Sequence, residues 1–228
     1  MSRTALLLGA SGLIGGHCLD LLLTDNNYAQ VTILVRKPLP QSHPKLTQRS
    51  VNFDRLTEAA DAFRMQDVFC CLRTTIKTAG SQEAFRKVDF TYPVESARLA
   101  MQQSAAQFLL VSALGANAKS SVFYSRTKGE VEAAIAASDL SSVQIFRPSL
   151  LLGQRAEVRS GEVIAEKISR ALSLLLLGPL RKYRPIEARA VAAAMIAVAK
   201  QQPAGIHFYE SDRIAQIANM TLVQYGER

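Results

Sequence analysis

The stretch Leu6-Leu7-Leu8-Gly9-Ala10-Ser11-Gly12-Leu13-Ile14-Gly15-Gly16 decides the fold of this chain. An apolar strand runs into a turn with the spacing G-x-x-G-x-x-G, and the turn runs directly into a helix. The first glycine allows a tight turn, the second lets the backbone approach a diphosphate, and the third lets the helix pack close to the strand. The alternative is an ordinary strand–turn–helix corner, but a strand before and a helix after are the context that a dinucleotide site requires. The predicted contacts are Gly9, Ser11, Gly12, Leu13, Ile14 and Gly15.

Composition indicates a globular protein. The 228 residues, 48% hydrophobic and 20% charged, suffice for one α/β domain with a sizeable core. The N-terminal apolar residues belong to the first strand and not to a signal peptide, and the longest apolar run, 172–177, is too short to span a bilayer. We therefore expect a cytoplasmic protein without membrane insertion. Cys18, Cys70 and Cys71 lack metal-ligand spacing, so we expect buried thiols and no metal site.

The net charge of +8, from 27 Lys+Arg against 19 Asp+Glu, favours anionic partners. A phosphorylated cofactor or substrate satisfies this charge as readily as nucleic acid does. The basic residues are scattered along the chain, and no helix-turn-helix, zinc or aromatic-interleaved basic pattern is present. We predict a small-molecule partner and no nucleic acid.

The end of the second predicted strand, Gln30–Val35, bears on the choice of cofactor. It is followed by Arg36 and Lys37, where an acidic residue would favour NAD by bonding a free ribose 2′-hydroxyl. Two cations can instead neutralise a 2′-phosphate, so we predict NADP(H) in preference to NAD(H), a solvated strand end being the plain alternative. Asp54, after a short predicted strand Ser50–Phe53, could accept a hydrogen bond from the adenine amino group or cap the next helix.

Strands and helices alternate along the rest of the chain, which predicts right-handed crossovers and a doubly wound parallel α/β sheet. We expect a single domain over residues 1–228, with residues 150–228 as a small substrate-side elaboration. The predicted strands are 67–72, 107–112, 142–147 and 206–209. The predicted helices are 57–63, 80–103 with a kink or a break at Pro93, one starting at Tyr124, 187–199 and a short terminal helix. Residues 39–49 are predicted as loop, 183–186 as an extended piece, and an amphipathic helix is expected from Ser160.

Ligands of open α/β sheets lie outside the carboxyl ends of the strands. Two predicted strands end in polar residues, Arg73-Thr74-Thr75 after the first and Ser112 after the second. We therefore expect the cofactor ribose or diphosphate to be contacted by Leu72, Arg73, Thr74, Thr75 and Val111.

Tyr124 and Lys128 are four residues apart, so their side chains share one face of a helix. With Ser112 at a strand end, they can run hydride chemistry at a carbonyl. The tyrosine exchanges a proton with the substrate oxygen, the ammonium favours the phenolate form and holds the nicotinamide ribose, and the serine donates to the developing oxyanion. A surface helix with a solvated lysine is the alternative for Tyr-x-x-x-Lys taken alone.

The order of these motifs resembles the short-chain dehydrogenase/reductase superfamily, and within its atypical members the Tat-interacting oxidoreductase-like family. The resemblance covers nearly the whole chain and is most distinctive from Ser112 through Glu132. It rests on residues 9–15, 36–37, 69–75, 88–89, 112–116, 124–132 and 146–148.

The resemblance implies an NADP(H)-binding Rossmann fold, with Ser112, Tyr124 and Lys128 at the catalytic triad positions. It also implies that the cofactor contacts include Tyr124 and Lys128, and that the nicotinamide lies near Pro148, Leu150 and Leu151. Arg73 stands where the family has a small residue, so this cation either contacts the cofactor diphosphate or crowds it.

Our first hypothesis is therefore an NADP(H)-dependent oxidoreductase acting on a small carbonyl or alcohol. The second is a non-catalytic NADP(H)-binding regulator, which would need the glycine turn and Arg36 but not Tyr124. An epimerase or dehydratase relative is a third, although the C-terminal part leaves little room for a sugar nucleotide. An apolar helix face could support a homodimer. Five basic residues could attract an acidic group of the substrate, or they could only confer solubility. They are Arg155, Arg159, Arg181, Lys182 and Arg184.

Overall fold

A computed structural model describes residues 2–152 and 178–224 of the chain. Its strands are β1 Arg3–Leu8, β2 Tyr28–Val35, β3 Leu46–Ser50, β4 Asp67–Cys70, β5 Gln107–Val111, β6 Ser142–Arg147, β7 Leu151–Leu152, β8 Ile186–Glu187 and β9 Gly205–Glu210. Seven of them form one parallel sheet in the order β3-β2-β1-β4-β5-β6-β9, and β7 pairs with β8. The strand order reverses between β1 and β4, which confirms the predicted doubly wound sheet.

Helices cover both faces of this sheet. They are α1 Leu13–Thr24, α2 Ile76–Ala79, α3 Gln82–Arg86, α4 Tyr92–Gln102, α5 Phe123–Ala136, α6 Ala188–Gln201 and α7 Ser211–Gln224, together with 3-10 turns Phe53–Phe63 and Gly178–Tyr183 and a π-helical turn Lys87–Thr91. Alternate residues of β1 enter different cores: Leu7 packs with α1 and α6, whereas Leu6 and Leu8 pack with α4 and α5. Two hydrophobic cores therefore hold the sheet between its helices.

The third strand is not where the sequence predicts it. Residues 39–49 were expected as loop and Ser50–Phe53 as strand, but β3 spans Leu46–Ser50 and a kinked 3-10 segment begins at Phe53. The strand pairs with β2 at the edge of the sheet and is mostly polar and partly exposed. An edge strand buries little side-chain surface, so its sequence carries no apolar signal.

The predicted long helix 80–103 is helical over residues 82–102 but irregular just before Pro93. The π-helical turn Lys87–Thr91 separates α3 from α4, and Pro93 lies in the first turn of α4. Proline lacks the N–H that would bond the carbonyl four residues back, which here is that of Asp89. The chain therefore widens into a π turn at Asp89 instead of continuing as a regular helix.

The last third of the chain agrees with prediction in part. The helix expected at 187–199 is α6, and the last strand is β9. The prediction of an extended piece at 183–186 is confirmed at Ile186, where β8 begins, but it is wrong at Tyr183, which belongs to the 3-10 turn Gly178–Tyr183. The predicted amphipathic helix from Ser160, the apolar run 172–177, Arg155 and Arg159 lie outside the described residues.

Among the described helices, none is long and apolar enough to cross a membrane. Cys18, Cys70 and Cys71 are free and buried, as predicted. Burial raises the pKa of the Cys70 thiol to about 12. These thiols are packing residues at neutral pH.

A buried carboxylate ties together the amino ends of four strands. Asp67, fully buried, accepts two hydrogen bonds from Arg3 at 2.8 and 2.6 Å, one from Tyr28 at 2.7 Å and one from Gln107 at 2.7 Å. Burial, together with the charge of Asp67, raises the pKa of Tyr28 far above its ordinary range, so its hydroxyl remains a donor. This network joins the amino ends of β1, β2, β4 and β5, opposite to the carboxyl ends where the glycine turn lies.

We predict that Asp67→Asn destabilises the protein by about 2–3 kcal/mol, because it leaves Arg3 without its anion. The matched control is Asp61→Asn, which breaks the exposed Arg49–Asp61 pair and leaves stability almost unchanged. Urea unfolding measures both variants. Equal midpoints for the two would contradict the importance of the buried network.

Candidate functional site

The glycine turn lies at the carboxyl end of β1, beside the end of β4. Gly9 has a φ of +87°, and a Cβ there would lie 2.6 Å from the backbone carbonyl of Cys71. A Cβ on Gly15 would lie 2.0 Å from the carbonyl oxygen of Gly9, and one on Gly12 would lie 3.2 Å from it. The turn therefore needs glycine for its left-handed conformation at one position and for close backbone contact at another.

The turn fits a dinucleotide phosphate. Helix α1 starts at Leu13, and the residue before it, Gly12, supplies no side-chain cap. The N–H groups of the first helical turn are therefore left for another acceptor, at the positive end of the helix dipole. Backbone donors at a helix N-terminus without a bulky side chain are the elements that bind a diphosphate. Leu13 and Ile14 contribute backbone here, since the side chain of Ile14 is buried in the core.

The centre of the candidate site is a cavity of about 700 Å³. Ser112, directly after β5, and Tyr124, in the first turn of α5, both line it. The Oγ of Ser112 is buried and has no hydrogen-bond partner in the described part of the chain. A buried hydroxyl without a partner is costly, so it is suited to donate to a substrate oxygen. The other residues of the cavity that the sequence predicted are Arg73, Pro148, Leu150 and Leu151.

The loop between Ser112 and Tyr124 is held by backbone contacts. The N–H of Ser112 donates to the carbonyl of Phe146 at 2.7 Å, and the N–H of Asn117 donates to the carbonyl of Ser125 at 3.0 Å. A Cβ on Gly129 would lie 2.0 Å from the backbone nitrogen of Ala118. Because Gly129 has no side chain, α5 approaches this loop closely enough to place Tyr124 beside Ser112.

The ring of Tyr124 packs against Phe85, with 5.8 Å between their centroids. Phe85 is fully buried and also contacts Phe123 at 5.6 Å. These tilted aromatic contacts orient the phenol toward the cavity.

Lys128, one helical turn after Tyr124, is buried and is not among the residues that line the cavity. Its side chain is 3% exposed, and its Nζ is 2.7 Å from Oδ1 of Asp89, a fully buried carboxylate in the π turn. The other carboxylate oxygen of Asp89 accepts the N–H of Thr74 at 2.8 Å. The lysine is therefore connected to the loop after β4 through one buried anion.

That loop carries four predicted contacts. Leu72 is buried beside the glycine turn, and Arg73 is exposed and lines the cavity. The hydroxyl of Thr75 accepts from the N–H of Thr78 and caps α2. The N–H of Thr74 is bound to Asp89, and its hydroxyl donates to the carbonyl of Thr75 at 3.5 Å. Val111, also predicted, is buried at the end of β5.

Arg36 and Lys37 are exposed at the carboxyl end of β2, away from the cavity. Asp54 is not the cap of the following 3-10 segment, because Asn52 caps it. The carboxylate of Asp54 instead pairs with Lys87 at 2.9 Å and accepts from Tyr92 at 2.7 Å.

The hydrogen bond from Lys87, followed by the one from Tyr92, lowers the pKa of Asp54. Burial, followed by the bond to Asp54, raises the pKa of Tyr92 to about 12, whereas the charge of Arg36 opposes this rise.

Sequence reasoning assigned no role to several residues of the cavity. Arg147 lines it and donates to Glu132 at 3.0 and 2.6 Å, with its guanidinium 4.5 Å from the ring centre of Phe208. Glu210 also lines it and lies 3.1 Å from Lys182, a cavity residue that the sequence did single out as a cation for an acidic substrate group. Within the described ranges, no cluster of His, Cys, Asp and Glu could hold a metal ion.

Comparison with known proteins gives three findings. A family profile described as NAD(P)H-binding matches residues 9–202. Protein HTATIP2 of Rattus norvegicus is 38% identical over 175 residues, which are 75% of this chain and 72% of that protein. Mitochondrial protein FMP52 of Lodderomyces elongisporus is 31% identical over 199 residues, 82% of this chain and 83% of that protein.

Among solved structures, the Bordetella bronchiseptica enzyme WbmH in complex with NAD+ is similar to this chain with a TM-score of 0.70. The match covers 99% of this chain and 82% of that one, at 13% sequence identity. At this identity the likeness concerns the fold alone, since one fold hosts many functions.

We predict that Gly15→Ala destabilises the protein by about 2 kcal/mol, because the new Cβ meets the Gly9 carbonyl in a turn that cannot yield. The matched control is Gly16→Ala, where the nearest atom to the Cβ is 3.6 Å away. That variant gains about 0.5–1 kcal/mol from helix propensity. Thermal unfolding of both variants tests the difference, and equal stability would show that the turn is not closely packed.

Proposed function

We propose a reaction for this chain, which belongs to the NAD(P)H-binding family and, within it, to the atypical short-chain dehydrogenases/reductases related to HTATIP2 and FMP52. This membership confirms the resemblance predicted from the sequence. The proposed function is an NADP(H)-dependent oxidoreductase that interconverts a small carbonyl compound and its alcohol. The observation that carries it is that Ser112 and Tyr124 line one cavity of about 700 Å³, with Lys128 one helical turn beyond.

Each residue has a role that its position allows. In the reducing direction, the Tyr124 hydroxyl donates its proton to the substrate oxygen, and in the oxidising direction its phenolate accepts that proton. The Oγ–H of Ser112, which has no partner among the described residues, donates to the same oxygen as negative charge develops on it. The Lys128 ammonium stabilises the phenolate and holds the nicotinamide ribose. Bound NADP(H) supplies or accepts the hydride.

The adenosine end supports NADP(H) over NAD(H). Arg36 and Lys37 follow β2, where the ribose is expected, and neither has a carboxylate partner among the described contacts. Asp54, the nearby acid, is already paired with Lys87. The 2′-phosphate would therefore meet positive charge.

We also propose a small-molecule substrate and a cytoplasmic location. Nucleic acid is not a partner in this proposal, and a homodimer stays a prediction.

Replacing Arg36 by Asp and Lys37 by Ala is expected to weaken NADPH binding about 30-fold and to change NADH binding little, because charge-assisted bonds to a phosphate are lost. Isothermal titration calorimetry with both cofactors measures this. The control is Arg64→Asp, a charge reversal at an exposed site near the amino end of β4. Equal losses for NADPH and NADH would contradict the 2′-phosphate assignment.

Tyr124→Phe is expected to preserve NADPH binding and to lower turnover by about 10²–10⁴-fold, since only the proton donor is removed. Loss of nicotinamide absorbance with a panel of small aldehydes and ketones measures turnover. The control Tyr209→Phe removes a phenol hydroxyl that donates to Gln144 at 2.9 Å outside the cavity. Retained turnover in Tyr124→Phe would exclude Tyr124 as the acid. Tight NADPH binding by the unaltered protein without turnover of any carbonyl would favour the regulator hypothesis.

A further inference from the structure

The wall of the cavity of about 700 Å³ carries more positive than negative side chains. Among the described residues, Arg73, Arg147 and Lys182 line it, against one carboxylate, that of Glu210. A cleft lined by an excess of one charge concentrates ligands of the opposite charge. We therefore expect an anionic group on the ligand, and the cation that is available to it decides where that group binds.

Two of the three cations already have an anionic partner. Arg147 donates to Glu132 at 3.0 and 2.6 Å, and its guanidinium lies 4.5 Å from the ring centre of Phe208. The ammonium of Lys182 lies 3.1 Å from the carboxylate of Glu210. These two charges are therefore compensated within the protein.

Arg73 is the third cation. It is exposed at the cavity, and no carboxylate of the described residues lies within ion-pair distance of its guanidinium. Arg73 follows the end of β4 and Ser112 follows the end of β5, and these two strands are neighbours in the sheet. The free guanidinium and the serine hydroxyl therefore lie at the same edge of the sheet, in the wall of one cavity.

The alternative ligand for Arg73 is the cofactor diphosphate, which we expect at the glycine turn. Of the described residues that line the cavity with Arg73, none belongs to that turn. The backbone N–H groups at the start of α1 already provide donors for the diphosphate. The lining of the cavity therefore favours a substrate group as the ligand of Arg73.

We propose that Arg73 determines substrate specificity by binding a carboxylate of the substrate, so that the reaction interconverts oxo acids and hydroxy acids. This inference rests on the proposed function, in which Ser112 and Tyr124 bind the carbonyl oxygen at the other end of the substrate. A guanidinium presents two parallel N–H groups that match the two oxygens of a carboxylate. Its single charge equals that of one carboxylate, whereas a phosphate monoester carries more negative charge than this one free cation compensates.

The test compares aldehydes that differ only in this charge. The pairs are para-formylbenzoate with its methyl ester, and the shorter succinate semialdehyde with its methyl ester. The variants are Arg73→Gln and Arg73→Lys, and the matched control is Arg64→Gln, at an exposed arginine near the amino end of β4. Loss of NADPH absorbance gives kcat and KM, and calorimetry gives the Kd for NADPH.

A second titration measures binding without turnover. Its ligand is para-hydroxymethylbenzoate, the alcohol product of the first aldehyde, added to each protein with and without NADPH. No hydride passes from NADPH to an alcohol, so the heat reports binding only. The methyl ester of this alcohol is the neutral comparison.

We expect the unaltered protein to prefer the acid over the ester about tenfold in kcat/KM, because a charge-assisted hydrogen bond is made only with the acid. Arg73→Gln should abolish this preference mainly through KM, since the carboxylate is remote from the reacting carbonyl. Arg73→Lys should keep part of it, because it retains the charge but not the paired N–H groups. Arg64→Gln should keep all of it, and NADPH affinity should be the same in every variant.

Equal kcat/KM for acids and esters in the unaltered protein would overturn the proposal, and so would a preference that survives in Arg73→Gln. If Arg73→Gln instead weakens NADPH binding and slows acid and ester alike, Arg73 serves the cofactor and the proposal is wrong. If none of the aldehydes is reduced, the proposed function fails for these substrates. The binding titration then decides separately: binding of the hydroxy acid that Arg73→Gln weakens about tenfold supports the carboxylate site, and absence of binding contradicts it.

Discussion

The close approach of Gly9 to the backbone of Cys71 is the constraint on which the rest of the site depends. With a φ of +87° and a Cβ position only 2.6 Å from that carbonyl, no other residue fits without displacing one strand end. This contact places the glycine turn against the loop after β4, at the point where the strand order reverses. A ligand bound by the α1 N-terminus is therefore also within reach of the β4 loop, and the site spans both halves of the sheet.

The second constraint is electrostatic and lies on the other side of the same loop. Asp89 binds the Thr74 N–H and the Lys128 ammonium, so the loop is held between the glycine turn and helix α5. Family membership accounts for the cofactor class, but a shared fold does not specify a reaction. The proposed chemistry depends on the cavity, which Tyr124 lines together with Ser112, whose hydroxyl has no partner among the described residues.

Central elements were predictable and peripheral ones were not. The buried strand β6 was predicted with its observed bounds, Ser142–Arg147, and β5 within one residue, because apolar runs mark strands that are covered on both faces. The edge strand β3 was misplaced, since polar residues at an edge resemble a loop. Pro93 predicted a kink or a break in the helix, whereas the helix continues through a π turn, and neither this turn nor the inward direction of Asp89 was visible in the pattern.

The sequence by itself determined the family, the parallel α/β architecture, the glycine turn and the candidate residues Ser112, Tyr124 and Lys128, since each depends on local spacing. Only the tertiary structure decided which side chains meet. It paired Lys128 with Asp89, which is 39 positions away, packed Phe85 on Tyr124, and brought Arg147 into the cavity wall. Such contacts join elements that are distant along the chain, and they depend on how helices pack across the sheet, which no local pattern encodes.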